Sequence, residues 1–163
     1  MAAPALRRTM TGPRSQRLRE LGIELPAPPE PVGSYRPVVR VGRLAWVAGQ
    51  IALEGGRVVS PGAVDREVPV AAAQQAARRA TLQALSALAK ELGSIDAIRR
   101  IVRLGVFVQS SPGFDRQHEV ANGASELLGE LFGEEGRPTR IAVGVAGLPK
   151  NGSVEVELLV EAD

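Results

Sequence analysis

The sequence predicts an α+β fold: a mostly antiparallel sheet with two helices on one face. Three observations carry that prediction. Residues 70–92 are dominated by Ala, Gln, Arg and Leu with Gly93 as a stop, the pattern of one long helix. Residues 101–108, 140–145 and 154–160 alternate apolar with polar or small side chains, the pattern of strands. The elements run strands, helix, strand, helix, strands, which fits helices gathered on one face of a sheet. A chain of 163 residues with 44% hydrophobic content is enough for one domain and one core.

The elements follow in order. Residues 1–16 mix Ala, Arg, Pro, Thr and Ser without periodicity and read as a leader. Residues 17–22 allow one or two helical turns ending at Gly22. Residues 25–32 hold four prolines and read as an extended arm that wraps the domain or links it. The expected division is a flexible leader and Pro-rich arm over 1–32 and a single domain over 33–163. Residues 38–41 and 44–51 read as strands joined by a tight turn at Gly42-Arg43, and Glu54-Gly55-Gly56 marks another turn. Leu82, Leu85, Leu88, Ala89 and Leu92 form the apolar stripe of the long helix. Arg78 and Arg79 read as its solvated face. A second helix is expected over 114–132, burying Val120, Ala124, Leu127, Leu128 and Leu131.

The stretch 137–157 predicts a hairpin, two alternating runs around Pro149-Lys-Asn-Gly152. Matching the apolar faces sets Val145 opposite Val154, Val143 opposite Val156 and Arg140 opposite Leu159. Ile141, Val143 and Val145 then face the core. Arg140, Ala142 and Gly144 share an uncovered face with Arg103, Phe107, Glu155 and Glu157. Small residues and isolated charges there predict close approach by a ligand or by another copy of the chain. In this register Arg140 and Glu155 lie roughly 13 Å apart along the strands. Closing both on one small molecule would take a second copy.

Composition narrows the chemistry. There is no cysteine, which excludes disulfides, thiolate nucleophiles and Cys-based metal sites. The single His118 cannot form a histidine cluster, so zinc hydrolysis is not expected. The formal charge is +2, and the pI of 9.6 reflects arginines in place of lysines rather than a strong field. Aromatics make up 3%, too few to stack single-stranded nucleic acid. No apolar run is long enough to cross a bilayer, and no signal-peptide core is visible. A soluble cytoplasmic protein without membrane or nucleic-acid partners is expected.

Four pieces resemble the Rid family of reactive intermediate deaminases, also called the YjgF family. They are Gly33-Ser34-Tyr35, Val47-Ala48-Gly49-Gln50-Ile51, Val106-Phe107-Val108, and Arg140-Ile-Ala-Val-Gly-Val-Ala-Gly-Leu-Pro149 with Val154-Glu155-Val156-Glu157. The resemblance spans 33–161, and residues 120–128 are similar to one bacterial branch of the family. It implies a chorismate-mutase-like fold and a homotrimer with three clefts between subunits. The activity implied is hydrolysis of reactive 2-imino and enamino acids, of the 2-aminoacrylate type, to 2-keto acids and ammonia, with no metal or organic cofactor. It implies that Arg140 grips the substrate carboxylate and that Glu155 orients or deprotonates the attacking water. The Ala142 carbonyl would hold the same water, and Tyr35 and the Gly49 backbone would line the pocket. Ala142 stands where the best-studied members carry Cys, and Ala48 where they carry Ser. His118, four residues after Phe114, falls where many carry Asn. The alternative is a non-enzymatic trimeric protein that binds or senses a small carboxylate. Ribonuclease activity, a third possibility, is opposed by the low charge and scarce aromatics.

Overall fold

The structure is a computed structural model and describes residues 13–163; of the leader expected over 1–16, residues 1–12 lie outside the described residues and 13–16 belong to a helix. The first element, α1 (Pro13–Glu20), begins four residues before the expected turns. Its cap is distant in sequence. Asp96 Oδ1 accepts from the backbone N–H groups of Arg14 and Ser15 at 2.8 and 2.9 Å, and Asp96 Oδ2 accepts from Ser15 Oγ at 2.6 Å. A carboxylate satisfies orphan N–H groups and meets the positive end of the helix dipole. Leu18 is buried beneath the helix.

The remaining elements are β1 (Val38–Val41), β2 (Leu44–Ile51), β3 (Leu53–Glu54), β4 (Arg57–Val58), α2 (Val70–Leu92), β5 (Ile98–Gln109), α3 (Gln117–Phe132), β6 (Thr139–Val145) and β7 (Val154–Ala162). The β3–β4 hairpin turns at Gly55 and Gly56, with φ of +56° and +77°, a pair of left-handed residues that matches strand twist. The main sheet has the order β1-β2-β7-β5-β6, and only β5 and β6 run parallel. Val47, Leu104, Val106, Val156, Leu158 and Val160 are buried on the face covered by α2 and α3. The helix stripe on α2 is wider than expected: Ala73, Ala76, Ala77, Ala80 and Ala84 are fully buried, while Leu82, Ala89 and Leu92 are half-buried. Arg78 and Arg79 are not a solvated face. Arg78 pairs with Glu130 at 2.8 Å, and Arg79 Nε donates to the Leu53 carbonyl at 2.9 Å.

The predicted hairpin does not form. β5 lies between its two strands, with Leu104 opposite Arg140 and Val106 opposite Ala142 on one side. On the other side Phe107 is opposite Glu155 and Gly105 opposite Glu157. The pairs Val145–Val154, Val143–Val156 and Arg140–Leu159 are therefore replaced. Two strand spacings separate β6 from β7 by about 10 Å, and residues 146–153 cross that gap over the end of β5. Gln109, at that end, clamps the crossing: its Nε2 donates to Asn151 Oδ1 at 2.8 Å and its Oε1 accepts from Leu148 N at 3.0 Å. Pro149–Asn151 is a real turn, with Lys150 and Asn151 at φ +54° and +60°. Turn residues say that the chain bends, not which strand it returns beside.

The faces of β6 are reversed as well. Register partners share a face, so Arg140, Ala142 and Gly144 stand with Leu104, Val106 and Val108 on the helix-covered side. Ile141, Val143 and Val145 stand with Gly105 and Phe107 on the open side, where Ile141 is exposed. The cause is α3. A Cβ on Gly144 would lie 3.0 Å from Gln117 Nε2 and Ser110 Oγ, so the small residues of β6 make room for that helix. The rest of the open face, with Arg103, Phe107, Glu155 and Glu157, is as expected.

Candidate functional site

A cavity of about 490 Å³ opens between the Pro-rich arm, the end of β2 and the β6–β7 crossing. Tyr35, Gly49 and Glu155, three of the expected site residues, line it together. The sequence folds this way because β2 bulges. Pairing with β7 slips between Val47 and Gln50, while on the other side the Ala48 N–H continues the β1 pairing by donating to the Pro37 carbonyl at 2.8 Å. The bulge sets Gly49 under Glu155. A Cβ at position 49 would fall 2.1 Å from Glu155 Oε1, so only glycine lets the carboxyl lie flat on the strand. Glu157 lies over Gly105 in the same manner.

Glu155 is half-buried. Burial, and then the charge of Glu157 two residues along the same face, push its carboxyl above the ordinary carboxylate range. A carboxyl so placed holds its proton more tightly than a free one and is positioned to exchange it with a guest in the cavity. Lys150 lines the cavity and makes no ion pair among the described residues.

Arg140 and Ala142 are elsewhere in the chain. Arg140 is exposed at the start of β6, an edge strand. Its Nη1 donates to Asn122 Oδ1 at 2.8 Å and to Ser125 Oγ at 3.0 Å, both on α3. Those two bonds occupy both Nη1 hydrogens. The Nε–Nη2 edge, which meets a carboxylate as a two-point fork, is left open. Among the described residues Arg140 has no acidic partner, whereas Arg78, Arg99, Arg100 and Arg116 are all paired. Within one chain Arg140 and Glu155 stand on opposite faces of the sheet, three β5 residues or about 10 Å apart along the strands. Ala142 is half-buried beside Val106. His118 is exposed in the first turn of α3 and does not line the cavity. The side chains on α3 that reach Arg140 are Asn122 and Ser125, one and two turns further on.

Asn122, Ser125 and Gln83 were not singled out from the sequence. A signal existed for each. Asn122 and Ser125 are polar residues at i, i+3 beside an apolar stripe, and Gln83 is a glutamine set between the leucines of the long helix.

The family model described as Endoribonuclease L-PSP matches residues 26–162. Protein TCP17 from Trypanosoma cruzi is 44% identical over 145 residues, covering 88% of this chain and 91% of that protein. A 2-iminobutanoate/2-iminopropanoate deaminase from Dermatophagoides farinae is 27% identical over 138 residues, covering 85% of this chain and 93% of that one. The crystal structure of a protein of unknown function from Agrobacterium tumefaciens superposes with a TM-score of 0.85 at 42% identity, covering 92% of each chain. On these matches the chain belongs to the YjgF/Rid family, whose model carries the name Endoribonuclease L-PSP.

Proposed function

We propose that the protein hydrolyses reactive 2-imino and enamino acids to 2-keto acids and ammonia, in a cleft shared by neighbouring copies of a homotrimer. The observation that carries this reading is the Glu155 carboxyl, held over Gly49 at the wall of a cavity, with its pKa raised by burial and by Glu157. The open Nε–Nη2 edge of Arg140 supports it, since a guanidinium held only by neutral groups keeps its charge available for a substrate carboxylate. The exposed side chains of Val39, Val41, Leu44, Trp46 and Ile141 on the open sheet face support assembly. A neighbouring copy would then bring its Arg140 to the cavity.

The chemistry asks for little beyond placement. Water adds to C2 of the protonated imine while Glu155 takes its proton, forming a tetrahedral carbinolamine. Glu155 returns that proton to the nitrogen, the C2–N bond breaks to release ammonia as the C2–O double bond forms, and the hydroxyl proton passes back to Glu155. The Ala142 carbonyl of the neighbouring copy and the Gly49 backbone would hold the water and the substrate, and Tyr35 would close the side. Orientation of this kind supplies about 7–11 kcal/mol in ideal cases.

Purified protein should accelerate keto-acid and ammonia release from freshly generated 2-aminoacrylate. Arg140→Ala should lower kcat/KM at least about thirtyfold, the effect of removing ~2 kcal/mol or more with one partner of a charge-assisted pair. The alternative, a trimer that binds a small carboxylate without turning it over, predicts the same loss of binding and no acceleration by the wild type.

A further inference from the structure

The helix α3 is locked in place against α2. Gln74 Nε2 on α2 donates to the Glu119 carbonyl at 2.9 Å, and a Cβ on Gly123 would fall 2.0 Å from the Gln74 carbonyl oxygen. Neither sliding nor rotation of α3 is possible without breaking that bond or that contact. Its other side runs along β6, where a Cβ on Gly144 would meet Gln117 Nε2 at 3.0 Å. Asn122 and Ser125 stand on either side of Gly123 in the sequence, three residues apart, and so share one side of the helix. Both are half-buried, and both meet the same nitrogen, Arg140 Nη1, at 2.8 and 3.0 Å.

Arg140 is exposed on an edge strand, where a long side chain left to itself samples many rotamers. Two acceptors on one nitrogen fix the plane of the guanidinium. They use both Nη1 hydrogens and leave the Nε–Nη2 edge as the two-point donor. The kind of acceptor matters as much as its place. A carboxylate would compete for that edge and offset the charge, as Glu130 does for Arg78 and Glu135 for Arg100. The helix α3 carries Glu119, Glu126 and Glu130, yet among the described residues the two side chains bonded to Arg140 are neutral.

We propose that Asn122 and Ser125 are positioning residues for ligand binding: they hold Arg140 in one orientation from the locked helix and, being uncharged, leave its positive charge to an anionic guest. This rests on reading Arg140 as the carboxylate anchor of the proposed reaction, and the test separates the two.

The full chain in its native assembly is titrated calorimetrically with pyruvate, the keto acid that 2-aminoacrylate yields, and melted in parallel. Asn122→Asp keeps the shape and the acceptor and adds a charge. It should weaken pyruvate binding at least about tenfold, while the melting temperature holds or rises because the bond to Nη1 becomes charge-assisted. Asn122→Ala and Ser125→Ala should each weaken binding about threefold or more, and the double variant should approach Arg140→Ala. Ser125→Thr, which keeps the hydroxyl, should bind as the wild type does. Where 2-aminoacrylate is turned over, the loss in Asn122→Asp should appear in KM, with kcat changed far less. Unchanged binding in Asn122→Asp overturns the proposal. So does a lowered melting temperature with intact binding in both alanine variants, or a wild type that binds no pyruvate. Turnover by the wild type with Asn122→Asp unimpaired leaves the deaminase reading standing without this role. Binding lost in Asn122→Asp, with no imine turned over by the wild type, supports the role and sinks the deaminase reading.

Discussion

At the scale of single residues, the pairing of Glu155 with Gly49 concentrates the chemistry. The carboxyl lies over a glycine because any Cβ there would displace it. Its pKa is raised, first by burial and then by the charge of Glu157. A carboxyl whose folded pKa exceeds its unfolded one holds its proton more tightly in the native state. Its stabilising contribution is complete below the unfolded value and is lost as pH rises through the raised folded value. Glu155→Gln, which cannot ionise, should therefore melt higher than the wild type above that value. The two should converge in acid, as thermal melts across pH will show. The same variant should lose turnover, and the acid limb of the wild-type kcat/KM profile should lie above the ordinary carboxylate range. The motif singled out Glu155 and Gly49 in the sequence. Their contact was not legible there, because it depends on a bulge in β2 and on the register of β7.

At the scale of elements, the crossing of α2 and α3 shows local pattern and packing in competition. Gly123 lies inside α3, where alanine would favour the helix by about 1 kcal/mol. A Cβ there would fall 2.0 Å from the carbonyl oxygen of Gln74 on α2. That neighbour is backbone and cannot swing aside, and overpacking of this kind costs ~1–3 kcal/mol. Gly123→Ala should therefore destabilise the fold, lowering the denaturant midpoint with little change in slope. Helix existence and the buried face of α3 were legible because a 3.6-residue period is local. The partner of β6 was not. Its alternation correctly marked two faces, but assigned the apolar one to the core. The helix α3, passing over Ala142 and Gly144, reversed that assignment.

At the scale of the whole molecule, the open sheet face is the unfinished part. Trp46 and Val41 are 51% and 72% exposed there, with Ile141 at 40% toward the far edge. If copies cover that face and share a site, Arg140 and Glu155 of one site come from different chains. Arg140→Ala and Glu155→Gln, each inactive alone, should then regain turnover when co-assembled. Random mixing leaves about a quarter of the interfaces with both groups intact, so recovery should approach that fraction. Mixed assemblies that stay inactive would place both groups in one protomer's site, or remove one of them from it. Among the described residues no helix is long and apolar enough to cross a membrane.

The sequence by itself determined the helices, the strands, the turn residues, and the family motif with its Arg140 and Glu155. Each is a property of neighbours along the chain, within reach of a period of 2 or 3.6 residues. Only the tertiary structure decided that β5 separates β6 from β7 and that Arg140 is held by Asn122 and Ser125. It also decided that Asp96 caps α1 and that Gln83 accepts from the Leu53 N–H at the cavity. Those contacts join residues up to 82 positions apart. Strand order and helix crossing are set by how the buried faces of the whole chain fit together, a condition that no local window contains.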